Sequence, residues 1–396
     1  MESCLMLSTL FTILIVLSNV KAQAPAAPGA GGGGDITTFG AKPGADSAQA
    51  ITTAWKEACA AAGTGTVTVP TGTFLTGPVL LAGPCKGEMK FNLIGTLQAP
   101  LKVETSGWIT FEHVDKLTIS GTGTLDGQGE EMWKSQPGCF KTAKMCKTTA
   151  INLRLDFVKT GLVEGITSLN SKNFHINVLS STDITLQKLT ITAPAESPNT
   201  DGIHVARSKG VTITDVNIST GDDCVSVGDG TSDLKVINVK CGPGHGISIG
   251  SLGLYQNEEP VTGVTVQGCT LTKSDNGVRV KSWPDKYGCE ASGIHFSNIT
   301  MEEVENPIII DMMYCPPGGC STTAPSKVKL TDISFKGIKG STPTPDAISI
   351  NCMPGSCTNI GLADIDLKFT GPKGPPIANC TNIKPTMTGT VNPAGC

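Results

Sequence analysis

The chain is 396 residues long, with 39% hydrophobic, 16% charged and only 5% aromatic residues, 47 glycines and 25 prolines, a balance that excludes a disordered chain and a collagen. Its formal net charge of -4 is spread without a basic stripe or a run of one sign, so nothing offers the electrostatic footprint that nucleic-acid binding needs. Length alone would suggest two or three domains, but repeat folds depart from that prior.

In chain order, Leu5 to Val20 form an apolar run too short for a comfortable membrane span, and Val20-Lys21-Ala22 places small residues where a signal peptidase reads. Residues 1–22 therefore read as a signal peptide, although the positive charge that usually precedes the apolar run is missing. No later segment could span a bilayer, and no membrane anchor is expected. Removing Cys4 with the signal leaves fourteen of the fifteen cysteines, an even number that suits an oxidised, extracellular protein. Cys139 and Cys146, Cys315 and Cys320, and Cys352 and Cys357 are close pairs without a CxxC or nearby histidines, which favours short disulfide loops over zinc. Asn217, Asn298 and Asn379 each open an acceptor sequon for N-glycosylation.

Residues 23–34 are almost entirely Ala, Pro and Gly and read as a flexible leader, with one folded domain expected over 35–396. Ile51, Trp55 and Ala58 recur at helical spacing and predict an amphipathic helix over Ala48–Ala62, the only one expected. After it come short runs of alternating β-branched residues punctuated by Gly, Asn, Asp and Pro, which is strand and turn chemistry.

These runs repeat in two interleaved series. One begins at Asp183, Gly210, Asp233, Gly263, Gly293 and Asn359, each start leading into further apolar pairs such as Val216/Ile218 and Ile299/Met301. The other begins at Asp201, Asp223, His245, Asn276 and Asn306, with starts 22, 22, 31 and 30 residues apart. A sandwich would show strands every 8 to 12 residues joined by hairpin signals. A solenoid whose every turn adds one strand to each of several parallel sheets explains both series, so the expected fold is all-β: a right-handed parallel β-helix with a short N-terminal capping helix.

In a parallel sheet equivalent residues of adjacent turns lie about 4.7–4.9 Å apart, so the second series stacks Asp201, Asp223, His245 and Asn276 in one column. Ile203/Val205, Val225/Val227, Ile247/Ile249 and Val278/Val280 should then point inward, leaving His204, Ser226, Ser248, Arg279 and Lys281 on an outer groove floor. Asp201, Asp222 and Asp223 crowd one histidine there. Like charges at such spacing cannot all ionise easily, so one carboxyl should keep its proton as an acid while an ionised neighbour activates water, the division that glycoside hydrolysis requires. Adjacent turns provide the wider separation of an inverting enzyme. Each element taken singly is more simply a turn or cap residue, and Asp201, Asp222 and Asp223 would also suit calcium; the shared register favours a site, and His245, Arg279 and Lys281 argue against a cation.

The motifs Asn199-Thr200-Asp201, Gly221-Asp222-Asp223, Gly244-His245-Gly246 and Arg279-Val280-Lys281 resemble those of the polygalacturonases of glycoside hydrolase family 28, in that family's order and over nearly the whole mature chain. The glycine-rich leader and Lys281-Ser-Trp-Pro-Asp285 look most like its plant, pollen-type, exo-acting branch. The resemblance implies hydrolysis of 1,4-linked α-D-galacturonan, demethylated pectin, with inversion. It implies Asp222 as general acid, Asp201 and Asp223 as the pair that activates water, and His245 as the residue that helps keep the acid protonated. Arg279 and Lys281 would bind the galacturonate carboxylate, with Asn199 and Tyr314 at the sugar subsite and a Cys224–Cys241 disulfide tying the catalytic turn to the next. It implies no cofactor or metal, a chain acting as a monomer, and a secreted, cell-wall location. Alternatives are an endo mode, a calcium-dependent lyase on the same polymer, and a non-catalytic pectin-binding wall glycoprotein.

Overall fold

The computed structural model describes residues 32–135, 149–316, 320, 324–372 and 374–396. The segment read as a signal peptide, most of the one read as a leader, and the Cys139/Cys146 pair lie outside those residues. Gly33–Asp35, at the end of the segment read as leader, forms a strand paired in parallel with Gly65–Val69.

Why the chain coils is visible in the burial pattern. Residues alternate inward and outward along strands such as Gly65–Val69 and Met89–Leu93, so each turn must bury one face against the turns above and below. Among the described residues the strands form one run of 11 and another of 21, and sequential turns pair in parallel without hairpins. The result is a right-handed parallel β-helix around one continuous column of Val, Ile, Leu and Phe.

Asp183, Gly210, Asp233, Gly263, Gly293 and Asn359, the residues that open the first series, all have φ between 53° and 71°. A stacked corner in the left-handed region favours Gly, Asn and Asp, which accounts for the repeating punctuation, although Lys116 and Thr160 take the same conformation in earlier turns. The 11-stranded run carries the second series. Its central strands are Ile203–Ala206, Val225–Val227, Ile247–Leu252, Asn276–Ser282 and Asn306–Asp311. The register runs Ile203 to Val225 to Ile247 to Val278 to Ile308, matching the sequence periods residue for residue. The eight side chains expected inside are all buried.

The helix spans Ala48–Ala60 and lays Ile51, Ala54, Trp55 and Ala58 over the first turns. Trp55 donates its indole N–H to the Ala82 carbonyl at 3.0 Å and meets the Phe111 ring edge-on. A second helix, Gly129–Ser135, was not expected: at seven residues, with only Gly129 and Met132 buried, it is too short to show a helical period. A 3-10 turn, Ile36–Phe39, is capped by the Asp35 side chain.

Disulfides join Cys59 to Cys85, Cys315 to Cys320, Cys352 to Cys357 and Cys380 to Cys396. Cys269 and Cys289 are unpaired and buried, so an even count does not mean complete pairing. Burial pushes both thiols up to about 11, which leaves them unreactive at neutral pH.

Candidate active site

The segments entering the 11-stranded run bring Asn199 to Asp201, Gly221 to Cys224, Gly244 to Gly246 and Asp275 to Asn276 onto neighbouring turns. Ladder bonds hold them: Gly202 N donates to Asp223 O at 2.9 Å and Cys224 N to Gly246 O at 2.8 Å. A buried disulfide joins Cys224, beside the catalytic segment, to Cys241, which stacks on Ile218 of the preceding turn. Thr200 is buried and structural, receiving the Gly221 N–H at 3.0 Å and bonding Ser197 at 2.6 Å.

The four backbone positions stack as the periods require, but their side chains do not form one column. Asp201 and Asp223 turn into the floor, 6% and 1% exposed. His245 swings to the rim, because the glycines on either side, with φ of 148° and 85°, take the backbone out of strand geometry. Its Nδ1 lies 3.0 Å from Asp222 Oδ1, and its Nε2 lies 3.3 Å from Asp275 Oδ2. Asp275 was missed by the sequence reading. The available signal was an acidic residue one position before the column residue Asn276, as Asp222 stands before Asp223.

The groove floor is drier than expected. Ser226, Ser248 and Lys281 face out of the coil yet are buried, because an ionic network covers them. Asp223 accepts from Arg279 at 2.8 Å, Lys281 at 2.7 Å and Ser248 at 2.7 Å, and Arg279 Nε also donates to Ser248 Oγ at 3.0 Å. The ring of Tyr314 lies over this pair of cations, 5.0 Å from Lys281 Nζ and 5.8 Å from the Arg279 guanidinium carbon. Arg279 and Lys281, expected to bind a substrate carboxylate, are thus both engaged by Asp223. His204 bonds Ser226 at 2.7 Å and packs on Phe174; burial and Lys281 bring its imidazole down to about 4, leaving it neutral.

Environment divides the carboxyls. Burial pushes Asp201 well above the usual carboxylate range, and the charges of Asp222 and Asp223 push it further. Burial also opposes ionisation of Asp223, but Lys281 and Arg279 outweigh it and bring that carboxyl down to about 2. His245 is raised, first by its bond to Asp222, against the cost of its partial burial. Ligand atoms of Asp222, Asp223 and His245 lie within 4.8 Å of one another. Asp223's oxygens are already committed to two cations and a hydroxyl, so these three side chains make a poor cage for a metal ion.

Above the floor runs a cleft of about 880 Å³ lined by Asn199, Asp222, His245, Asp275, Arg279 and Tyr314, among others, with Glu196 and Glu305 at its edge. Asn199 donates to Asn173 Oδ1 at 2.5 Å. Asn217, Asn298 and Asn379 are all exposed, and none of them lines this cleft.

Known proteins provide an independent comparison. Residues 59–394 match the model of the glycosyl hydrolases family 28. The chain is 49% identical over 365 residues to the exopolygalacturonase of Platanus acerifolia, covering 91% of this chain and 96% of that one. It is likewise 49% identical over 355 residues to the exopolygalacturonase of Oenothera organensis, covering 89% and 98%. In fold it resembles an endo-xylogalacturonan hydrolase of Aspergillus tubingensis, with TM-score 0.73, 23% identity and coverage of 88% and 98%. It also resembles the polygalacturonase of Erwinia carotovora, with TM-score 0.68, 22% identity and coverage of 88% and 97%.

Proposed function

The chain belongs to family 28 of the glycosyl hydrolases, and from that membership we propose that it is a secreted exopolygalacturonase, hydrolysing the 1,4-linked α-D-galacturonan of demethylated pectin from a chain end with inversion. The observation that carries the mechanism is the divergence of three neighbouring carboxyls: Asp201 buried and proton-seeking, Asp223 clamped as an anion, and Asp222 open to the cleft beside His245.

Asp222 is the general acid: it gives its proton to the glycosidic oxygen as the bond from that oxygen to the anomeric carbon breaks. Water attacks from the opposite face and loses its proton to a carboxylate. Asp223 supplies the fixed negative charge that orients the water, and Asp201, once ionised, is the stronger base of the two, so the pair together position and deprotonate the nucleophile. Arg279 lines the cleft and has guanidinium N–H groups beyond those held by Asp223 and Ser248, which suit a galacturonate carboxylate. Lys281 acts from below by holding Asp223, and Asn199 and Tyr314 border the sugar. The reading needs no cofactor or metal. It places the mature protein, cleaved after residue 22 and acting as a monomer, in the pollen or plant cell wall. The exposure of Asn217, Asn298 and Asn379 supports glycans there.

The test is a time course on polygalacturonic acid with chelator present, comparing wild type with Asp222→Asn. Saturated galacturonic acid from wild type, reduced about 10²-fold or more in the variant, is the expected result. Early saturated oligomers would replace exo by endo action, ultraviolet-absorbing products would indicate a lyase, and no product from either protein would leave a pectin-binding protein.

A further inference from the structure

His245 sits between acidic side chains from the turns on either side of it, and the backbone fixes that arrangement. His245 N donates to Asp222 O at 2.8 Å, while Asp275 N donates to Gly244 O at 2.9 Å. The Asp275 carbonyl is in turn held by Asn306 through both its backbone N–H, at 3.0 Å, and its side-chain amide, at 2.9 Å. Asp275 therefore presents its carboxylate to Nε2 from a position set by three stacked turns. That carboxylate is 62% exposed and makes no other ion pair among the described residues.

We infer that Asp275 is a positioning residue for the hydrolytic reaction: facing Nε2, it keeps a proton on that nitrogen and reserves Nδ1 of His245 for proton exchange with the acid Asp222. The inference rests on the glycosidase reading above and goes beyond it by assigning a residue outside the four motifs.

The proton inventory shows why the second carboxylate matters. A neutral imidazole carries one N–H. With that proton on Nε2, toward Asp275, Nδ1 offers a lone pair and accepts from a protonated Asp222, which is the loaded acid. Passage of that proton from Asp222 to Nδ1 gives the imidazolium, whose Nδ1–H donates to ionised Asp222. A single proton is thus shared along the 3.0 Å contact between Nδ1 and Oδ1. In the opposite tautomer the Nε2 lone pair would face the Asp275 carboxylate at 3.3 Å, and Nδ1, already carrying a proton, could take none from Asp222. After Asp222 has protonated the leaving oxygen, a proton from solvent reloads the pair.

Other charged groups border the same space. Asp222 and Asp223 face His245 from the preceding turn and Asp275 from the following one, and all three favour the charged imidazole against the cost of burial. Arg279, Tyr314, Glu196 and Glu305 line the rest of the cleft.

The test uses Asp275→Asn, nearly isosteric and at an exposed position, with Asp275→Glu as the conservative variant. Two readouts are made: the pH profile of kcat/KM on a galacturonate oligomer, and the nitrogen-15 resonances of the His245 ring in substrate-free protein, assigned with His245→Gln. In Asp275→Asn the basic limb should move down by roughly half a pH unit or more and the population protonated at Nε2 should fall. Asp275→Glu should restore both, and the melting temperature should hold. An unmoved limb with an unchanged tautomer overturns the inference. So does a lower KM alone, which would mean only that a negative charge had been taken from a cleft for an anionic polymer. Should wild type fail to hydrolyse the oligomer, the functional reading falls on that result alone, while the ring resonances still report whether Asp275 sets the tautomer.

Discussion

Asp201 and Asp223 are aspartates one turn apart, yet their surroundings drive them in opposite directions, so the site's stability depends on pH with two signs. Asp223 is held below its ordinary value, so it stabilises the fold above the unfolded pKa near 4, and this is lost as pH falls through about 2. Asp201 is raised, so its contribution is complete below the unfolded value and lost as pH rises through the folded one. Asp201→Asn should therefore abolish hydrolysis yet raise stability at pH 7, by about 1–3 kcal/mol for a poorly compensated buried group, with the gain shrinking toward pH 4. Thermal unfolding of both proteins at the two pH values checks this, and an equal difference at both would contradict it. Lys281→Ala leaves Asp223 buried with one cation fewer, and a loss of about 3–5 kcal/mol in a denaturant titration is expected.

A recurring corner, more than any single strand, sets the shape of each turn. Asp183, Gly210, Asp233, Gly263 and Gly293 stack with φ near 55° to 71°, and a Cβ built on Gly210 would stand 2.7 Å from Asp183 Oδ1. The same ladder holds Lys116 and Thr160 at φ of 56°, so the corner admits other residues at a cost in strain; Asp233→Val should cost about 1–2 kcal/mol in urea, whereas Asp233→Gly should be nearly neutral. Asn298, a sequon residue, occupies a second ladder of the same kind with φ of 53°, which gives it a structural role independent of any glycan. The corners were legible in sequence as spacing and residue type. The helix Gly129–Ser135 was not, because two buried residues cannot set a period.

On the scale of the whole molecule, a solenoid is stabilised turn by turn, and its open ends are its weak points. The helix Ala48–Ala60 closes the N-terminal end, with Trp55 only 2% exposed against Phe111 and the Ala82 carbonyl, and the Cys59–Cys85 disulfide fastens its last turn to the coil. Trp55→Ala removes that plug. It should cost about 3–5 kcal/mol and expose the first turns to protease before the catalytic ones, so mass spectrometry of early fragments should find the first cuts in the N-terminal coils. First cuts in the central turns would contradict the end-first picture.

The sequence by itself determined the coil, because strand register is written as a period: Asp201, Asp223, His245 and Asn276 recur at intervals that the ladder reproduces residue for residue. It also determined which backbone positions meet, and so that three carboxylates and a histidine converge. Only the tertiary structure decided where those side chains point and which partners they take. A period fixes the backbone, but the two glycines beside His245 release it from strand geometry, and the desolvated floor draws Arg279 and Lys281 onto Asp223. Direction, burial and pairing depend on neighbours from other turns; the place of Asp275 beside Asn276 is readable in the sequence, but its pairing with His245 Nε2 is not.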